Sequence, residues 1–328
     1  MSRVLVTGSS GHLGEALART LKDLGRDVVG VDMIAGPFTT NIGSIVNRKF
    51  VKSCMTGVET VLHAATLHKP HIATHTKQDF IDTNITGTLN LLEEATKASV
   101  HAFVFTSTTS VFGDAMASKD GTPAVWVTED LCPIPKNIYG ATKLAAEDLC
   151  QLFHRNNGLA CIVLRTSRFF PEDDDNKDSR AEYSNENLKM NEFLYRRVEI
   201  EDVVSAHILA AKQALSIGFR KYIVSAKTPF EKSDLSDLAN DALKVLRRII
   251  PGYEFEYSRR GWKIFSHIDR VYVSDRIRNE LGWQPKYDFE FLIGKLSRNE
   301  DPRSQLAKST GSKGYHSVQF SNEPYPVE

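Results

Sequence analysis

Residues 3–14 read Arg3-Val-Leu-Val-Thr-Gly-Ser-Ser-Gly-His-Leu-Gly14. Arg3 to Val6 are apolar and β-branched enough for a buried parallel strand. Gly8, Gly11 and Gly14 follow at once, and an amphipathic helix is expected from about His12 to Leu24, with Leu13, Leu17, Leu21 and Leu24 on one face. A strand, a glycine turn and a helix N-terminus together offer unpaired N–H groups and a positive dipole end to a pyrophosphate. Gly8, Ser10, Gly11, His12, Leu13 and Gly14 are therefore the candidate cofactor cradle. The spacing is G-x-x-G-x-x-G rather than G-x-G-x-x-G. The plain alternative is a tight turn that binds nothing. Strand and helix patterns go on alternating to about Arg165, as a doubly wound parallel α/β sheet of the Rossmann type requires.

A second strand, Asp27 to Val31, ends in Asp32. A carboxylate there accepts the ribose hydroxyls and repels a 2′-phosphate, so NAD is expected over NADP; Met33 rather than an arginine follows. A third buried strand, Val100 to Thr106, runs into the hydroxyls Ser107, Thr108 and Thr109. Downstream, Ile138-Tyr-Gly-Ala-Thr-Lys-Leu144 places Tyr139 and Lys143 on one helix face at i, i+4. A free phenol, with a pKa of about 10, is a poor base at neutral pH. A nearby ammonium is expected to lower that value. Lys143 also suits the nicotinamide ribose, and Thr108 suits a hydrogen bond to substrate and Tyr139. The chemistry these residues allow is removal of an alcohol proton by Tyr139 as hydride leaves for a nicotinamide.

These residues resemble the extended short-chain dehydrogenase/reductase family, in its NAD-dependent epimerase/dehydratase branch, over about residues 3 to 294. Further runs carry the resemblance: Asn84-Ile-Thr-Gly-Thr88, Glu199-Ile-Glu-Asp-Val203 and Leu281-Gly-Trp-Gln-Pro285. It implies that Asn41 and Ile42 lie near the adenine and that His63, Ala64 and Ala65 border the cofactor. Asn84 and Thr106 join the cofactor set on the same ground. It puts the catalytic hydroxyl on Thr108, with Ser107 as the other choice. It also implies a homodimer through helices at about Lys77 to Lys97 and Asn137 to His154, and a small C-terminal substrate-binding subdomain. There are departures. Thr109 and Ser110 stand where the family's dehydratases carry an Asp-Glu pair, which disfavours 4,6-dehydration. Arg168 stands where nucleotide-sugar enzymes carry an Asn. The late Arg-x-Gly-Asp contact survives only as Arg260-Gly-Trp262. Thr108, Thr109, Arg168 and Arg260 form the candidate substrate set.

The chain has 328 residues and a formal net charge of zero, so nothing points to nucleic acid or a membrane surface. The first strand starts almost at the first residue and no apolar run approaches membrane-spanning length, so a cytoplasmic protein is expected. The four cysteines, Cys54, Cys132, Cys150 and Cys161, lack metal-ligand spacing. No metal is expected, and the acidic run around Glu172 to Asp178 and the histidines His68, His71 and His75 read as solvated or cleft-lining. Residues 1–165 are assigned to the NAD-binding core with its catalytic groups. Residues 166–296 supply late core elements and the substrate subdomain, with helices at Asp202 to Ser216 and Asp234 to Ile249, a strand at Lys221 to Ser225, and a loop-like stretch from Phe170 to Asn191. Residues 297–328 read as a polar tail, mobile or hugging the surface. The expected function is NAD-dependent redox chemistry at a secondary alcohol of a sugar-like small molecule, by an epimerase cycle. The alternatives are a net dehydrogenase or reductase of a free sugar, sugar acid or other alcohol, and a non-catalytic NAD-binding sensor or scaffold.

Overall fold

The computed structural model describes residues 3–118 and 121–314. Its strands are β1 (Arg3–Thr7), β2 (Asp27–Asp32), β3 (Asn41–Ile42), β4 (Val58–His63), β5 (Ala102–Thr108), β6 (Val125–Val127), β7 (Cys161–Thr166), β8 (Phe219–Val224) and β9 (Arg270–Tyr272). Seven of them form one parallel sheet in the order β3-β2-β1-β4-β5-β7-β8, and β6 pairs with β9 in a separate parallel ribbon. The order reverses between β1 and β4, where a doubly wound sheet opens its ligand crevice at the carboxyl ends of the strands.

Strand residues point alternately to the two faces, and each face has its own core. Val4 and Val6 of β1 pack with Leu13 and Leu17 of the His12–Asp23 helix and Val203 of the Ile200–Ile217 helix. Leu5 points the other way, towards Val51, Leu91, Leu92, Ala146 and Cys150 of the Arg48–Cys54, Gly87–Lys97 and Ile138–Asn157 helices. A third core gathers Ala124, Leu194, Phe230, Leu238, Val245, Tyr257, Phe289 and Leu292, all but the first from the chain beyond β7.

Three segments depart from the expected pattern. The stretch from Phe170 to Asn191 is not all loop. It contains helices Lys177–Glu182 and Asn185–Glu192, started by Asn176 and Ser184, whose side chains accept from Ser179 N (3.0 Å) and Asn187 N (3.3 Å). The expected helix from Asp234 to Ile249 is two, Leu235–Asn240 and Ala242–Ile249. Asp241 leaves the helical region (φ −153°) and caps the second by accepting from Lys244 N. Residues 297–314 are not a free tail. Helix Gln305–Thr310 sets Leu306 and Ala307 against the core that holds the first helix, with Ser304 and Thr310 buried. The rest of the expected tail, 315–328, lies outside the described residues.

Candidate active site

The glycine turn lies at the sheet's reversal point. Gly8 has φ +73°, and a Cβ there would sit 2.9 Å from Ala65 N; a Cβ on Gly14 would sit 1.8 Å from Gly8 O. Both positions thus need glycine, the first for its conformation and the second for close approach. Gly11 caps the helix without a side-chain bond, and the first intrahelical bond is Glu15 N to Gly11 O. The N–H groups of His12, Leu13 and Gly14 come before it and are the orphan donors a pyrophosphate takes. This turn fits NAD. Leu13 itself is core, while the His12 ring stacks with Phe169 at 6.1 Å and its Nδ1 meets Gly311 O at 2.9 Å.

Asp32 ends β2, and its carboxylate accepts from Ser10 N (2.9 Å) and Ile34 N (3.0 Å). These bonds fix the acid beside the glycine turn. Ser10 Oγ lies 2.7 Å from both Ile34 O and Thr39 Oγ1. Asn41 and Ile42 form the short edge strand next to Val31 and Asp32, and Ile42 is exposed.

The reacting centre is built where β5 meets the Ile138–Asn157 helix. Asn137 caps that helix, accepting from Gly140 N at 3.1 Å. A Cβ on Gly140 would come within 2.7 Å of Ser110 O, so glycine lets the first turn press on the segment after β5. Thr108 comes close enough to the Tyr139 phenol to hold its pKa down against burial. Ser107 points elsewhere: its hydroxyl donates to Glu147 Oε1 (2.6 Å), in a buried network in which Arg165 and Lys221 also hold Glu147. Of the two candidate hydroxyls, Thr108 is the one beside Tyr139. Thr109 is buried in the next turn, and Thr106 Oγ1 is engaged by His207 Nε2 at 2.8 Å. Lys143 is buried with its ammonium 4.0 Å from the Phe105 ring centroid.

Burial dominates the electrostatics of this pair. It pushes Tyr139 up to about 12, opposed by Thr108, and brings Lys143 down to about 7, opposed by Cys150 and Glu147. The expected lowering of the phenol by Lys143 is therefore absent. Desolvation of the phenolate outweighs what its neighbours return.

Two residues of the expected cofactor set, His63 and Asn84, are held by hydrogen bonds within the protein. Thr7 Oγ1 accepts from Ala64 N and Ala65 N, both at 3.1 Å, so its own proton goes to His63 Nδ1 (2.7 Å). His63 Nε2 then donates to Thr88 Oγ1 (2.9 Å), which donates to Asn84 O (2.7 Å). Buried Asn84 uses its whole amide. Oδ1 accepts from Thr66 Oγ1 and Leu67 N, both at 2.8 Å, and Nδ2 donates to Leu67 O and to Thr142 Oγ1. It sits in a π-helical segment, Ile81–Thr86, inside the longer helix expected there. The extra residue in that turn aims Asn84 across to the loop after β4.

That loop brings in one of the histidines read as solvated or cleft-lining: the His68 ring lies 6.0 Å from the Tyr139 ring, centroid to centroid. Neighbouring Lys69 pairs with Asp175 of the acidic segment. Arg168, two residues beyond β7, pairs with Asp174 (2.6 Å) and Glu192 (3.2 Å), and Arg196 and Arg197 share Glu192, whose pKa falls to about 2 despite its burial. Arg260 faces Glu256, Leu296 O and the Trp262 ring. Among the described residues no helix is long and apolar enough to cross a membrane, and no group of three or more His, Cys, Asp and Glu could hold a metal ion.

Residues 4–222 match the profile of the NAD dependent epimerase/dehydratase family. An uncharacterised UDP-glucose epimerase of Bacillus subtilis is 30% identical over 184 residues, which are 50% of this chain and 55% of that protein. The chain thus spans about half the length of that relative. A putative UDP-glucose 4-epimerase of Methanocaldococcus jannaschii is 24% identical over 316 residues, covering 89% of this chain and 96% of the relative. Among solved structures, a short-chain dehydrogenase/reductase superfamily protein from Agrobacterium tumefaciens with bound NAD superposes with a TM-score of 0.64 at 22% identity, over 94% of this chain and 99% of the other. That similarity establishes the fold.

Proposed function

The chain belongs to the NAD-dependent epimerase/dehydratase family, with NAD as its cofactor, and from that premise we propose that it is an epimerase acting at a secondary alcohol of a sugar-like substrate. The observation that carries the reading is Thr108, at the end of β5, set beside Tyr139 with Lys143 one helical turn on. Bound NAD supplies the hydride acceptor and, in its oxidised form, a positive charge. That charge and the Lys143 ammonium would favour the phenolate against burial, so that Tyr139 Oη can take the carbinol proton as hydride leaves the carbon and return it when the ketone is reduced from the other face. Thr108 aligns that hydroxyl. The burial that raises the phenol's pKa also keeps water from the keto intermediate. The orphan N–H groups at His12, Leu13 and Gly14 bind the pyrophosphate, and Asp32 takes the adenosine ribose.

The relatives named as UDP-glucose epimerases support the epimerase cycle. Grip on a nucleoside diphosphate is weak in this reading, because Arg168 and Arg260 are already paired with acids of the chain itself. A free sugar or sugar acid fits that arrangement better. A homodimer through the helices at 77–97 and 138–157 belongs to the same reading and is checked by sedimentation.

The test starts with protein as purified. Bound NAD, and turnover of a free sugar, sugar acid or UDP-sugar without net NADH, support an epimerase; steady NADH release makes it a dehydrogenase. Micromolar UDP-sugar binding in the presence of NAD, lost in Arg260→Ala, would reinstate a nucleotide-sugar substrate.

A further inference from the structure

Ser107 and Thr108 are consecutive residues of β5 with different partners. Thr108 stands beside Tyr139, while the Ser107 hydroxyl crosses to the catalytic helix and donates to Glu147 Oε1 at 2.6 Å. Glu147 lies one helical turn beyond Lys143, as Lys143 lies one turn beyond Tyr139, so the three share a helix face. The Glu147 side chain is wholly buried, and Arg165 of β7 holds it as a fork, Nε to Oε1 at 3.0 Å and Nη2 to Oε2 at 2.7 Å. Lys221 of β8 adds a contact to Oε2 at 3.1 Å. Strands β5, β7 and β8 thus meet the catalytic helix at one carboxylate. The carbonyl of Ser107 is fixed as well, since it accepts from Thr166 Oγ1 at 3.0 Å.

A buried ion pair adds little net stability, because desolvating both charges offsets their attraction. What the fork supplies is direction. Ser107 is locked at its hydroxyl and at its carbonyl, so Thr108 continues from a fixed start. Thr108 Oγ1 then accepts from Ser110 N at 3.1 Å, which leaves its hydroxyl proton to be donated towards the phenol. Burial lowers the Lys143 amine, and Glu147, one turn away, is among the groups that oppose it. We propose that Glu147 is a positioning residue of the reacting centre: it holds Ser107 on the catalytic helix, so setting Thr108 against Tyr139, and keeps a negative charge behind Lys143, without touching substrate. This inference rests on the epimerase reading above, since it needs Thr108 and Tyr139 to be the groups that act.

The test compares wild type, Ser107→Ala, Thr108→Ala, the double variant, Glu147→Gln and Tyr139→Phe, each loaded with NAD. The probe is whichever free sugar, sugar acid or UDP-sugar the wild type turns over best, assayed below the melting temperature of every variant. Ser107→Ala leaves Glu147 with Arg165 and Lys221 and removes only the link to β5. It should lose about tenfold in kcat, with KM and NAD affinity unchanged. In the Thr108→Ala background the same change should cost nothing further, because Ser107 acts through Thr108. Glu147→Gln removes a negative charge and keeps both cations. Its pH profile of kcat should move to lower pH, since the added positive field favours the phenolate and disfavours the ammonium. Where Glu147→Gln does not fold, the Ser107 and Thr108 set decides. Equal losses from Ser107→Ala with and without Thr108, unchanged kcat in Ser107→Ala, or an unmoved pH profile in folded Glu147→Gln would each overturn the inference. Full activity in Tyr139→Phe would instead overturn the reading beneath it.

Discussion

Tyr139 and Lys143 shift in opposite directions for one reason: both are buried, and burial opposes whichever form is charged. Replacing Tyr139 by Phe keeps the ring and removes only the proton carrier. Turnover should fall about 10² to 10⁴-fold with NAD binding intact. Lys143 also makes a prediction about stability. Its folded pKa of about 7 lies below the roughly 10.4 of an unfolded lysine, so between those values the unfolded chain binds the extra proton. Stability should then rise with pH across that window, and the cost of the buried ammonium should be greatest below pH 7. Lys143→Met should abolish turnover, flatten this slope and melt a few degrees higher than wild type at pH 7. A melting series from pH 6 to pH 9 checks both signs. Asp32 acts by charge at a fixed position: NAD should bind better than NADP, with Asp32→Ala narrowing the gap in a direct titration. The residue types and spacing of this centre were readable from sequence. The resemblance put the hydroxyl on Thr108 ahead of Ser107; what sequence did not supply is the physical reason, that Ser107 meets Glu147 while Thr108 meets Tyr139.

At the scale of elements, the sheet and its long helices follow from hydrophobic period and caps, so β1, β2, β5 and the Ile138–Asn157 helix come within three residues of their expected bounds. The π-helical turn at Ile81–Thr86 does not. Its sequence reads as ordinary helix, and only the Asn84 bonds to Thr66, Leu67 and Thr142 show what the extra residue achieves. Helices Lys177–Glu182 and Asn185–Glu192 are too short and polar to show a period, and only their caps betray them. Asn84→Ala would leave the part-buried Leu67 N–H without its acceptor, while Leu67 O keeps the Thr66 hydroxyl at 3.1 Å. One unsatisfied buried polar group costs about 1–3 kcal/mol, so a loss of about 1 kcal/mol or more is expected in denaturant unfolding. Turnover should fall with it, because the same side chain registers the His68 loop against the catalytic helix. Unchanged stability would mean that the π turn is not held by this amide.

At the scale of the molecule, the chain's last described segment returns to its first helix. Helix Gln305–Thr310 covers apolar surface beside the His12–Asp23 and Ile200–Ile217 helices, and Ser304 N reaches Glu199 Oε1 at 3.3 Å. Past it, Gly311 O meets His12 Nδ1, Lys313 pairs with buried Glu15 (2.6 Å), and Ser312 Oγ meets Glu172 Oε1 (2.6 Å). One strap thus joins the glycine turn to the acidic segment beyond β7. Composition could not announce this, since a six-residue helix has no amphipathic period and Gly311 and Gly314 read as linker. Ending the chain after Arg303 should expose Leu306's packing surface and leave Glu15 with Arg19 as its remaining ion-pair partner. Burying one aliphatic side chain contributes about 1.5–3 kcal/mol, so the truncated protein should melt several degrees lower. Lys313→Ala removes only the ion pair and should cost about 1 kcal/mol or less, as expected of a pair with one solvated partner. If the strap also steadies the glycine turn, NAD titrated calorimetrically should bind more weakly to the truncated chain than to Lys313→Ala. Equal NAD affinity in wild type and truncated protein, alongside the lower melting temperature, would confine the strap to a structural role.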